Sequence, residues 1–267
     1  RLTYLLATTV LACAASNDAY DEGWSTEEIP SGKADSLLDN APRLLLGATG
    51  SGYVEDDQLD IYAIDLPEVD ARFVFIHTRL LLAKEPTAAD EAPALHLLLQ
   101  LDSAFVVSRR FRFLMIEQPL FGSGPIEKNW ASADLASFAG RNRSEILAVC
   151  ERRRVTAVIA ATERLYQRLW VKSTGGGGFW HITTAGAGHG LDDFRPNARD
   201  QGLNLAMQAG LSVSPASVRT EKVAHYCRIE LPHKLGAPFT GSRFDVYHVR
   251  SKKKAEVLEH IDLEKGP

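Results

Sequence analysis

The chain is poor in the residues that most often announce chemistry. Its 267 residues include three cysteines and two methionines, and the net charge is -4. Cys13, Cys150 and Cys227 lie too far apart for a CxxC pair, which excludes a zinc knuckle or a dithiol redox motif. There are eight histidines, but none forms an HxH or HxxxH pair. No apolar run reaches the length of about 20 residues that a bilayer-spanning helix needs. A pI near 6.1 excludes the domain-wide basic field of a nucleic-acid binder. The basic residues gather in three short clusters, Arg109 with Arg110 and Arg112, Arg152 to Arg154, and Lys252 to Lys254, which read as helix ends or exposed turns. No serine or cysteine sits in a nucleophile elbow. "GATGSGY" (Gly47 to Tyr53) is followed by Val54, where a phosphate-binding loop would need Lys and then Ser or Thr after its last glycine.

What is present begins with a leader. "RLTYLLATTVLACAAS" has Arg1, a short apolar run and then small residues, the layout of a secretory signal. "VLAC" is similar to a bacterial lipobox, so Cys13 is the expected lipidation site and residues 1–16 the expected leader. Residues 17–58 are acidic and rich in small residues, with Pro30, Gly32 and Pro42 as breakers, and read as a flexible tether. Together they predict an exported protein, secreted or lipid-anchored at the cell envelope, with a membrane as partner and no nucleic acid.

From residue 59 the texture is globular, with 45% hydrophobic and 24% charged residues over the whole chain. "LDIYAIDL" alternates like a strand, and "ARFVFIHT" is an unbroken apolar run of the kind a doubly covered strand shows. "PALHLLLQLDSAFVVS" predicts a helix starting at Pro93; "NRSEILAVCERRR" predicts another, capped by Ser144. "VTAVIAA" is the next buried strand, after which "TERLYQRLW" turns polar. "GGGG" (Gly175 to Gly178) reads as a hairpin turn with a tight backbone approach rather than an anion cradle. "VAHYCRIEL", "FDVYHVRS" and "AEVLEHIDL" read as antiparallel strands, the last two joined at Ser251 to Lys254. The fold class is α/β: a mixed sheet with helices packed on it and C-terminal antiparallel strands.

Four blocks in order, "FRFLMIEQPLFGSG", "ILAVCERRRVTAVIAATERLYQRL", "GGGGFWHITTAGAGHGL" and "VAHYCRIEL", resemble the C-terminal half of calcineurin-like metallophosphoesterases. The resemblance covers residues 59 to 263 and implies a partial version of that family's four-layer α/β sandwich. It also implies, for an active member, hydrolysis of phosphate esters at two divalent metals, Fe, Mn or Zn, held by Asp, Asn and His. At the family's ligand positions this chain departs. Glu117 stands for the histidine before "PL", and Ala161, Thr162, Glu163 and Arg164 stand for Gly-His-x-His. Thr is a poor ligand, and Arg carries a permanent positive charge. The family's N-terminal ligand blocks have no counterpart in the sequence. We therefore expect no cofactor, an Arg164–Glu117 pair plugging the pocket, and His181 and His189 as weak candidates for any catalytic role. The plain alternative for Glu163, Arg164 and Arg168 is surface ion pairs. An open, uncovered sheet edge predicts a homodimer. Three readings follow: a non-catalytic relative, an active phosphoesterase whose metal site is rebuilt from residues such as Asp60, Asp65, His77, Glu117, His181 and His189, or an incomplete or decayed gene product.

Overall fold

A computed structural model describes residues 3–4, 61–82, 86–122, 124, 136–172, 176–185, 191–193, 212–213, 219–232, 241–251 and 254–266. Strand β1 is Thr3–Tyr4, followed by β2 (Ile61–Leu66), β3 (Ala71–Ile76), helix α1 (Ala88–Ala104), β4 (Phe111–Ile116), helix α2 (Phe138–Arg152), β5 (Ala157–Ala160), β6 (Tyr166–Lys172) and β7 (Gly178–Thr184). The remaining strands are β8 (Ser212–Val213), β9 (Arg219–Glu221), β10 (His225–Glu230), β11 (Arg243–Ser251) and β12 (Lys254–Asp262). Cys13 and His189 lie outside the described residues, as do Asp60, the "GATGSGY" segment and nearly all of the leader and tether.

Eight strands form a mixed sheet in the order β2-β3-β4-β5-β7-β6-β8, with β9 also paired to β6. Strands β3, β4, β5 and β7 run parallel, whereas β2 and β6 are antiparallel to their neighbours. β1, β10, β11 and β12 make a second, antiparallel sheet. The parallel strands are covered on both faces, which is why "ARFVFI" is apolar at almost every position and buried throughout. One core lies between the large sheet and the helices, with Val74, Leu114, Val158, Leu97, Leu101 and Ile146 among its members. The other lies between the two sheets, where Phe73, Phe113 and Ile159 meet Ile229, Phe244 and Ile261. The described residues thus stack as helices, large sheet and small sheet.

Both helices begin earlier than the sequence pattern predicts. α1 is capped at Thr87, whose backbone N–H donates to Asp90 Oδ2 at 2.7 Å. Pro93 therefore falls inside the helix rather than at its start. α2 is capped at Ser137, whose Oγ accepts from Gly140 N–H at 3.0 Å, while the Ser144 hydroxyl donates back to the Gly140 carbonyl at 2.9 Å. Ser144 is thus a mid-helix serine satisfied by the preceding turn. The helices pack side by side and parallel. Glu91 meets Arg141 at 2.7 Å near their starts, and Asp102 meets Arg152 at 2.8 Å and Arg153 at 2.6 Å at their ends. Those guanidinium groups hold the Asp102 carboxyl down at about 2.

The glycine run behaves as read. Gly176 and Gly177 have φ of 86° and 88°, and β6 returns into β7 with Lys172 opposite Gly178. A Cβ on Gly178 would lie 2.3 Å from the Val171 carbonyl oxygen, so only glycine closes this hairpin. Among the described residues, no helix is long and apolar enough to cross a membrane.

Candidate functional site

The carboxyl ends of parallel strands are where α/β sheets expose their loops to ligands. Here β3, β4 and β5 end in register, with Ile76 beside Ile116 and Ile116 beside Ala160. The chain then places His77, Glu117 and Thr162 along one rim. Asp65 is not among them. It pairs at the opposite ends of the strands with Arg72 (Nε to Oδ1, 2.9 Å) and Arg109 (3.1 Å), and its hydrogen bond from Arg72 lowers its pKa despite partial burial.

The second residue after β5 is the most unusual on the rim. Thr162 has φ of 72°, and Glu163 N–H closes a three-residue turn onto the Ala161 carbonyl at 2.9 Å. A β-branched residue in that region is strained, at a cost of order 1–3 kcal/mol, and persists only where its surroundings dictate it. Those surroundings are evident. The Thr162 hydroxyl donates to the Glu117 carbonyl, tying the β5 end to the β4 end. The turn also sends Glu163 inward and Arg164 outward.

Glu163 is fully buried. Its carboxylate accepts from Gly124 N–H at 3.0 Å. A Cβ on Gly122 would approach Glu163 Oε1 to 2.6 Å, and one on Gly124 would approach its carboxyl carbon to 2.8 Å. The "PLFGSG" loop therefore wraps its backbone around the chain's own carboxylate. This corrects the surface ion-pair reading of Glu163.

Arg164 corrects a second expectation. Its guanidinium does not pair with Glu117. It meets Asp192, with Nη2 to Oδ1 at 2.8 Å and Nε to Oδ1 at 3.1 Å, and the Arg164 backbone N–H donates to Asp192 Oδ2 at 2.7 Å. Glu117 instead faces His77, whose Nδ1 lies 3.8 Å from Glu117 Oε2.

His181 is distant in role from this rim. It sits mid-strand in β7 opposite Val158, fully buried, and its Nε2 accepts from Leu120 N–H at 3.1 Å. Phe121 packs edge-on against it, with centroids 5.5 Å apart. Burial pushes its pKa down to about 3, so the ring is neutral and holds the "PL" loop in place.

Arg168, the third member of the surface ion-pair reading, is likewise not on the surface rim. Glu259 of β12 accepts from Arg168 Nε at 2.8 Å, from Arg168 Nη2 at 2.6 Å and from the Tyr166 hydroxyl at 2.6 Å. This pins the small sheet to the large one through a largely buried pair. The pairing of Arg168 with Glu259, and the burial of Gln167, explain why β6 escapes a reading based on apolar pattern.

The family's three histidine positions hold a carboxylate, a hydroxyl committed to a carbonyl, and a guanidinium committed to Asp192. Among the described residues, no group of three or more His, Cys, Asp or Glu side chains converges as a metal site would require.

No protein-family model matches the chain, and no curated protein matches it. Solved structures do. Purple acid phosphatase PPD1 from yellow lupin (Lupinus luteus) seeds aligns with a TM-score of 0.51 and 11% identity, over 80% of this chain and 34% of that one. The GAP50 anchor of the Plasmodium inner membrane complex aligns at 0.44 and 16% identity, over 72% of this chain and 48% of that one. PhoD aligns at 0.42 and 11% identity, over 76% and 44%. The chain spans less than half the length of each of these structures. The likeness to the purple acid phosphatase is one of fold: a distant, phosphoesterase-type α/β architecture, with a large mixed sheet and a second antiparallel sheet.

Proposed function

We propose that the chain is a non-catalytic protein on a phosphoesterase-type fold, exported and anchored at the cell envelope through a lipid on Cys13, with a binding role. One observation carries the non-catalytic part. Each side chain at a position the family uses for metal is engaged structurally: Thr162 with the Glu117 carbonyl, Arg164 with Asp192, and Glu117 beside His77.

The test is turnover of an aryl phosphate and an aryl phosphodiester with added Mn, Fe or Zn. No chelator-sensitive hydrolysis is expected, and Glu117→His with Thr162→His and Arg164→His is expected to remain inactive. Chelator-sensitive turnover by the unaltered protein, lost in Glu117→Ala, overturns the reading.

That second outcome has one observation in its favour. His77 and Glu117 stand on adjacent strand ends 3.8 Å apart, the start of a rebuilt site for a single divalent cation. Turnover that depends on both residues would establish an active phosphoesterase instead.

The anchor rests on "VLAC" and the acidic tether behind it. One acyl chain gives marginal binding, so stable anchoring requires more than one. Cys13→Ser is expected to move the protein from the membrane to the soluble fraction on cell fractionation; unchanged sedimentation with membranes counts against the anchor.

A further inference from the structure

An exposed apolar stripe runs along the outer side of α1, between exposed polar residues such as His96 and Gln100. Leu95 and Leu99 are 59% and 58% exposed, and Val106 just beyond the helix is 61% exposed. The inward face is already complete, with Ala94, Leu97, Leu98 and Leu101 buried against the sheet. Leu95 and Leu99, four residues apart, lie on one face. Ala88 and Ala92 extend that line toward the helix start, small enough to let another backbone approach.

The charges around this stripe are arranged end to end. At the starts of α1 and α2 are Asp90 and Glu91 with Arg141. At their ends are Arg152, Arg153 and Arg154 with Asp102 and Glu151. The starting end thus carries an excess carboxylate and the far end an excess guanidinium. Leu95 and Leu99 bracket the middle of the 17-residue helix. A two-fold axis through that middle places α1 antiparallel to its own copy. It sets leucine against leucine, the acidic end of each copy against the basic end of the other, and opposes the two helix dipoles.

We propose that this face of α1 is a homodimer interface, and that its occupant is the α1 face of a second copy of this chain. The experiment is sedimentation velocity of the full chain at tens of micromolar, a range suited to micromolar dissociation constants. The unaltered protein is expected to sediment as a dimer. Leu95→Glu with Leu99→Glu is expected to sediment as a monomer with an unchanged far-ultraviolet circular dichroism spectrum. Val257→Glu, at an exposed apolar position on the small sheet, is expected to remain dimeric. Because both leucines already face solvent, the milder pair Leu95→Ser with Leu99→Ser retains the fold, and its dimer is expected to be weaker by about tenfold or more. A monomeric unaltered protein overturns the proposal. So does a dimer that survives both double substitutions, which would move the interface to the edge of the large sheet or elsewhere.

Discussion

Glu259→Ala is expected to lower stability by about 3–5 kcal/mol, the cost of stranding a charge in a buried pair. It shows as a fall in the midpoint of a urea unfolding curve with little change of slope. The loss concentrates at one carboxylate because Glu259 satisfies three donors on the neighbouring sheet: Arg168 Nε, Arg168 Nη2 and the Tyr166 hydroxyl. Burial and the nearby Glu259 charge push the Tyr166 hydroxyl well above its ordinary pKa, so it stays a donor. Arg168 also lies over the Trp180 ring, 5.4 Å from its centroid, and would lose the Glu259 carboxylate in a mostly enclosed site. Replacing both partners, as Arg168→Met with Glu259→Leu, is expected to recover only part of the loss, because the two charges leave together while the buried Tyr166 hydroxyl still loses its acceptor. A Glu259→Ala protein as stable as the original would show that the Glu259 contacts contribute little to holding the two sheets together.

The second large effect is a dependence on pH. His181 has a folded pKa of about 3 because burial excludes its charged form. In the unfolded chain it titrates near its ordinary value of about 6.5. Above that value both states are neutral and the residue leaves stability unchanged. As pH falls from about 6.5 toward 3, the unfolded state takes a proton that the folded ring refuses. Stability then drops by roughly 1.4 kcal/mol per pH unit. Between pH 6.5 and 5 this amounts to about 2 kcal/mol, before most carboxylates titrate. His225, also lowered chiefly by burial, adds in the same direction. His181→Gln keeps an acceptor for Leu120 N–H and removes the proton, so its urea midpoint is expected to be flatter over that range. Equal slopes in the two proteins would mean that His181 protonates in place.

Much of the fold is legible in the sequence, and the reasons are local. "ARFVFI" and "FRFLMI" read as buried strands because parallel strands covered on both faces have few polar positions. The hairpin at Ser251 to Lys254 follows from alternation on both sides of a lysine turn. Helix starts are less visible. Thr87 with Asp90 forms a cap that the eye passes over in favour of Pro93, and Ser137 precedes Ser144 by two turns. β6 is hidden because Gln167 is buried and Arg168 is paired with Glu259, so their polarity does not speak of exposure.

The site is less legible for a different reason. A Thr–Glu–Arg sequence after a strand gives no sign that Thr162 turns left-handed. That one dihedral decides the rest. It buries Glu163 beneath Gly122 and Gly124, and it sends Arg164 to Asp192 and not to Glu117. The "PLFGSG" glycines carried the missing signal. Two glycines flanking one serine leave room for something close, and here it is the Glu163 carboxylate.

We propose that the rim formed by His77, Glu117 and Thr162, with Arg164 beside it, is a structural and binding surface without a metal centre. Its most direct test is the metal content of the full-length protein. The protein is produced in medium supplemented with Mn, Fe and Zn, exchanged into metal-free buffer and analysed by plasma mass spectrometry. The account predicts Mn, Fe and Zn far below one ion per chain, unchanged by His77→Ala or Glu117→Ala. One or more tightly held ions per chain, lost in either variant, would contradict it.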